Sequence, residues 1–365
     1  MVRLAILWAL VCLCVQAQSP LERAVTLAHE RRYVEARQAL QGVAEPVPAA
    51  QRIAFHRLKA AIAAGLNDAP GAAAEMERAL ALAPADPALL LATAVAERGA
   101  EKFDSALRHA GAVGENAGAQ ALIAGIQETR GRLPEAAAAW REVVRLEPAR
   151  EEYRANLGAA LIRSQNFDAA IDSLRAALGL FPQSAHLTTL VGIAQYARGD
   201  TEDAAATLST AIALDPAAEP AYRSLTQIVL QASTAPDAPL VKQLCGWNPT
   251  VCAALKLRVA REGADAALQA EATQTLERAP QSDIIARCEL ARAREWTNRF
   301  PEARLEMEKC VAQDPSPQNH YRLGLIYQRL GLASLAQEQM EARQRRLQGS
   351  SEQSVGGVNL LKGMR

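Results

Sequence analysis

The feature that most constrains this chain is an interval. Alanine recurs at Ala136, Ala170 and Ala204, leucine at Leu146, Leu180 and Leu214, and proline at Pro148, Pro182 and Pro216, each 34 residues from the last. Gly158 and Gly192 keep the same spacing, and Gly131 and Gly199 stand two intervals apart around Gln165. Several residue types agreeing on one interval imply a small structural unit copied along the chain. Such a unit cannot bury its apolar face alone and must stack on its neighbours.

Each unit reads as two helices. From Asn156 to Pro182 the chain runs NLGAALIRSQNFDAAIDSLRAALGLFP. Leu157, Gly158 and Leu161 share one face of a first helix, and Asn166 interrupts it. Ala170, Leu174 and Ala177 then mark a second helix at spacings of four and three. Pro182 closes it, because proline cannot extend the helical ladder and restricts the residue before it. A glycine inside a helix costs about 1 kcal/mol relative to alanine. Gly158 and Ala170 are therefore expected at the closest approach of two antiparallel helices, where small side chains let the backbones meet. Composition agrees: aromatic residues are 4% of the chain and alanine is abundant, whereas a sandwich or barrel would be rich in β-branched and aromatic residues.

This pattern resembles the tetratricopeptide repeat, a family of helix-turn-helix units with a small residue at the eighth position, alanine at the twentieth, a small residue near the twenty-seventh and proline near the thirty-second. Three consecutive units carry the resemblance closely: Ala117–Arg150 with Ala124, Ala136 and Pro148; Glu151–Ser184 with Gly158, Ala170, Ala177 and Pro182; and Ala185–Ala218 with Gly192, Ala204, Ala211 and Pro216. It extends more loosely to Leu21–Val43, Ile53–Pro84, Leu91–Gly114, Ile284–Pro315 and Pro317–Leu347. The resemblance implies an all-α fold, a right-handed α-solenoid of stacked helix-turn-helix repeats. Between Glu219 and Ser282 the period breaks at QASTAPDAPLVKQLCGWNPTVC, so an irregular insert is expected there, with a degenerate helical pair at Val251–Arg261 and Ala264–Ala279.

The N-terminus is a separate object. Arg3 precedes an apolar run from Leu4 to Val15, and Ala17 supplies a small residue at its end, the layout of a signal peptide. The run is shorter than the roughly 20 residues a bilayer span needs. The expected organisation is a signal peptide at 1–18, a repeat array at 19–218, an irregular segment at 219–282, further repeats at 283–348 and a disordered, glycine-rich tail at 349–365. The expected location is outside the cytoplasm, periplasmic or secreted, in an exported protein of bacterial type.

Four cysteines remain after the signal segment: Cys245, Cys252, Cys288 and Cys310. In an oxidising compartment an even number favours disulfides. Cys288 falls early on a first helix and Cys310 late on the second, positions that are close in an antiparallel hairpin, and Cys245 with Cys252 would close the irregular loop. Neither pair has the C-x-x-C spacing of a redox or zinc site. His29, His56, His109, His186 and His320 are scattered over different units, so no metal site and no cofactor are expected.

No catalytic signature stands out: there is no nucleophile elbow, phosphate loop or zinc helix. The 40 basic and 40 acidic side chains give no net field for a nucleic acid. The resemblance implies that the first helix of each unit lines an inner groove. In phase, this puts Asn156, Arg163, His186, Tyr196 and Arg223 toward the concavity, a mixture of charge, amide and ring that suits a peptide. The expectation is a non-catalytic scaffold for a protein or peptide, with no nucleic acid and no small-molecule cofactor. An alternative is a cell-envelope assembly factor docked on a membrane complex.

Overall fold

The computed structural model describes residues 19–231 and 238–353. The expected signal segment and the tail from 354 on lie outside the described residues, whereas 349–353, expected to be disordered, continue the last helix. Among the described residues every regular element is a helix and no strand occurs. The helices form two compact units, Met1–Ala149 and Arg150–Arg365.

In the first unit the order is α1 (Pro20–His29), α2 (Tyr33–Ala39), α3 (Ala49–Gly65), α4 (Ala69–Leu82), α5 (Pro87–Gly99), α6 (Phe103–Ala112), α7 (Ala117–Thr129) and α8 (Leu133–Leu146). In the second it is α9 (Glu151–Arg163), α10 (Phe167–Leu178), α11 (Ala185–Arg198), α12 (Thr201–Leu214), α13 (Glu219–Gln231), α14 (Ala238–Trp247), α15 (Pro249–Glu262), α16 (Ala266–Arg278), α17 (Ile284–Trp296), α18 (Phe300–Gln313), α19 (Pro317–Arg329) and α20 (Ala333–Gln353). Each odd-numbered helix packs against the even-numbered helix that follows it, and within each unit successive hairpins stack. The segment 219–282 is thus helical on both sides of residues 232–237, and its later pair, α15 and α16, overlaps the pair expected from the sequence.

Most odd-numbered helices start on side-chain caps, α3 and α9 being exceptions. Ser19, Asp86, Asn116, Ser184, Asn248, Asp283 and Ser316 each accept from a backbone amide of the first turn, which satisfies donors that have no partner inside the helix. The turn within a hairpin adds a backbone device, with a side-chain cap as well at Asp68 and Asp265. Its middle residue is left-handed at Arg31, Asn67, Glu101, Gly131, Gln165, Gly199, Ala264, Asn298 and Gly331. The next amide then reaches back five residues to the first helix, as from Asn166 to the Leu161 carbonyl at 2.9 Å and from Arg299 to that of Arg294 at 2.8 Å. This bond closes the end of one helix and aims the chain into the next.

Gly158 and Gly192 are buried in the hairpin cores. A Cβ at Gly158 would stand 2.4 Å from Leu174 Cδ2, so the leucine, rather than Ala170, fills the notch the glycine leaves. At Gly192 the corresponding leucine, Leu208, is nearest at 2.7 Å, and the carbonyl of Ala204 follows at 3.3 Å. The interior is otherwise mostly alanine, leucine, isoleucine and valine, and among the described residues its buried charges are paired. His56 Nδ1 lies 2.7 Å from Glu75 Oε2 in the first unit. In the second, Arg287, 2% exposed, reaches Glu306 at 3.0 Å and the carbonyls of Leu276 and Ala279.

Candidate functional site

The two helical layers of each hairpin stack are not equivalent. Odd-numbered helices touch one another directly: α1 with α3 and α5 with α7 in the first unit, and α9 with α11, α11 with α13, α13 with α15 and α15 with α17 in the second. Among the described residues, even-numbered helices make no contact of that extent with each other. A stack whose two layers have different neighbour spacings curves toward the tighter one. Within each unit, the odd-numbered helices therefore form the inner face.

Helix α11 shows how this face is built. From Leu187 to Gln195 every residue is buried, because the helix is enclosed by α9 and α13 beside it and by α10 and α12 behind it. Its hydroxyls are satisfied within the helix: Thr188 donates to the Ser184 carbonyl at 2.8 Å and Thr189 to that of Ala185 at 2.7 Å. Such local bonds let threonine sit in a closely packed helix without an orphaned donor.

The five residues expected on the groove distribute along this layer. Asn156 and Arg163, two helical turns apart on α9, are both half-buried. On α11, His186 and Tyr196 are ten residues apart, about 15 Å along the helix, so they serve opposite ends. His186 is exposed, yet the bulk around it desolvates the ring and pushes its pKa below the ordinary imidazole value, against the pull of Glu151. Tyr196 is half-buried and donates its hydroxyl to Gln231 Oε1 at the end of α13, and desolvation raises its pKa. Arg223, on α13, is exposed and paired with Glu219 at 2.5 Å, one turn back on the same helix. The arrangement is a strip of separated polar contacts on three neighbouring helices. These side chains are spread out and do not converge on one point.

The cysteines pair as expected. Cys245 and Cys252 have their sulfurs at bonding distance with Cα atoms 4.3 Å apart, and Cys288 and Cys310 likewise at 5.0 Å. The first pair straddles the junction of α14 and α15. Nearby, Trp247 stacks on Tyr222 with ring centroids 5.0 Å apart, and Asn248 caps α15. The second pair ties α17 to α18. Among the described residues no group of three or more His, Cys, Asp or Glu side chains could hold a metal ion, and no helix is long and apolar enough to cross a membrane.

Stacked antiparallel helix pairs with an inner and an outer layer define an α-helical repeat protein. Residues 126–185 and 161–228 each match a family model described as tetratricopeptide repeat, so the repeats in that stretch are similar to tetratricopeptide repeats. No curated protein sequence matches the chain. Among similar solved structures is a tetratricopeptide repeat protein from Parabacteroides merdae, 14% identical, covering 78% of this chain and 98% of its own, with a TM-score of 0.47. A second is the C-terminal part of a repeat protein from Cytophaga hutchinsonii, 15% identical, covering 70% and 94%, with a TM-score of 0.45. A third is YrrB, a tetratricopeptide repeat protein with an unusual peptide-binding site, 19% identical, covering 52% and 96%, with a TM-score of 0.41.

Proposed function

We propose that this chain is a non-catalytic scaffold that holds a protein or peptide along the inner face of its odd-numbered helices, in the periplasm or outside the cell. The observation that carries the reading is the continuous inner layer of α9, α11 and α13, with Asn156, Arg163, His186, Tyr196 and Arg223 spread along it. An extended partner can lie across several parallel helices and meet one or two side chains from each. Affinity then accumulates over length, and a few positions dominate it. Helical repeats arranged this way are interaction modules, and nothing in the strip demands a reacting centre. The two paired cysteine sets support a location where thiols are oxidised.

Photo-crosslinking tests the reading. A photoreactive residue placed at Arg223, exposed on the inner helix α13, is expected to capture a discrete partner in the native host. The same residue placed at Arg175, exposed on the outer helix α10, is expected to capture none. Equal adducts from both positions would remove the inner face as the binding surface. Recovery of one stable membrane complex through the Arg223 position would favour the envelope assembly factor as the form this scaffold takes.

A further inference from the structure

Beyond α13 the inner layer changes character. On α15, α17 and α19 stand four arginines, Arg258, Arg261, Arg292 and Arg322, and three glutamates, Glu262, Glu289 and Glu295. Glu289 is 2% exposed and paired with Arg292, and Arg258 Nη2 lies 4.0 Å from the same carboxylate. Arg258 also donates to the carbonyls of Val229, at 3.1 Å, and Leu230, at the end of α13. Arg322 on α19 reaches across to Glu295 on α17 at 2.9 Å. Arg261 is exposed, with its guanidinium carbon 4.5 Å from the ring centroid of Trp296 on α17, and it forms no ion pair among the described residues. Its sequence neighbour Glu262 is exposed as well.

The positive charge is in excess. With Glu262 counted, three carboxylates stand among four cations, and desolvation, aided by Arg292, Arg322 and Arg261 nearby, holds the pKa of Arg258 below the usual guanidinium value despite the pull of Glu289. The roles divide by burial. Arg258 and Arg292 are largely committed to protein acceptors. Arg261 and Arg322 have exposed surface and unspent donors. The ring of Trp296 occupies one flat face of Arg261 and leaves its in-plane N–H edge open, the edge that grips a carboxylate with two parallel bonds. A guanidinium already stacked or paired loses little freedom on binding, which favours recognition.

We propose that the inner face of α15, α17 and α19 docks an acidic peptide segment, with Arg261 and Arg322 taking side-chain carboxylates of the ligand. The proposal rests on the reading of the odd-numbered helices as the binding face and names a partner chemistry for a part of that face which the sequence did not single out. A peptide fits better than a nucleic acid because Glu289, Glu295 and Glu262 are interleaved with the arginines. A continuous phosphate backbone would meet that negative charge at every step, whereas separate carboxylates can match separate arginines.

The test uses the full chain and an octaglutamate peptide. Extended, eight residues reach about 26 Å, enough to cross the roughly 20 Å of two helix spacings. Binding is followed by fluorescence anisotropy of the labelled peptide. Octaglutamate is expected to bind at low salt and octaglutamine to bind at least tenfold more weakly, with the difference shrinking as salt rises. Arg261→Glu and Arg322→Gln are each expected to weaken octaglutamate about tenfold, while Arg175→Glu on the outer helix α10 changes it less than about twofold. Arg261 is exposed, so Arg261→Glu should leave the circular dichroism melting curve unchanged. No binding of octaglutamate overturns the proposal, as does equal weakening by Arg175→Glu or tighter binding of a ten-nucleotide thymidine strand. If the crosslinker at Arg223 captures a partner and octaglutamate does not bind, the scaffold reading stands and the acidic-peptide proposal falls.

Discussion

Gly158→Ala is the smallest perturbation that tests how the paired helices pack. A methyl group there would stand 2.4 Å from Leu174 Cδ2 and 2.6 Å from its Cγ. Leu174 is 0% exposed, so its branch atom cannot swing out into solvent. Two terms oppose each other. Alanine is favoured over glycine in a helix interior by about 1 kcal/mol, and overpacking a closed core costs about 1–3 kcal/mol. The expected net effect is a loss of about 1 kcal/mol, or a melting midpoint lower by about 3 °C for a unit of this size. Gly125→Ala is the control of opposite sign. Its Cβ would meet only Arg98 Nη1 at 3.8 Å, an ordinary contact, so the helix term acts alone and adds about 1 kcal/mol. The two glycines belong to different compact units, and a single melt would mix them. Hydrogen exchange of amides in α7 and α8, and separately in α9 and α10, reads each hairpin by itself. If Gly158→Ala slows exchange in α9 and α10 as Gly125→Ala does in α7 and α8, the close approach of α9 to α10 is not what requires glycine. Adding Leu174→Ala to Gly158→Ala should reveal a coupling of about 1 kcal/mol, since the two side chains compete for one space.

Three further outcomes follow from the geometry. Replacing both Cys288 and Cys310 by alanine opens a loop of 21 intervening residues and should cost about 3 kcal/mol, seen as faster exchange in α17 and α18, with a similar loss in the native chain on reduction. Gln165→Gly, at an exposed left-handed turn residue with φ of 59°, should stabilise the α9–α10 hairpin by about 1 kcal/mol, measured by urea unfolding. Desolvation raises the pKa of Glu75, but hydrogen bonds from His56 and Lys59 and the charges of Lys59 and Arg78 outweigh it and leave the pKa below its ordinary 4.5. The folded state therefore prefers the ionised carboxylate. Its contribution is complete above that ordinary value and is lost as pH falls through the lowered one. Glu75→Gln should flatten the acid limb of the α3–α4 stability profile, and an unchanged limb would show that the pair carries no linkage.

The sequence by itself determined the unit and its contents. Because a stacked hairpin can bury its apolar stripe only against its own kind, the 34-residue interval already required paired helices. The same periodicity located Gly158 and Gly192 in the cores and brought Cys288 opposite Cys310. It also assigned Asn156, Arg163, His186, Tyr196 and Arg223 to first helices, since their phase is a local property of each helix. The turns were legible only as a phase. Six of the nine left-handed turn residues are not glycine, because the amide that reaches back five residues stabilises the conformation whatever the side chain. Other features belong to tertiary structure alone. That Leu174 and not Ala170 fills the space at Gly158 depends on the rotation of one helix against the other. The curvature of each unit depends on how closely odd-numbered helices approach their next odd-numbered neighbours. Arg258, Arg261, Arg292 and Arg322 come from three helices far apart in the chain, and none is unusual where it stands. Their grouping exists only once packing has brought the three helices together, since an arginine's field is screened along an extended chain and concentrated in a partly buried fold.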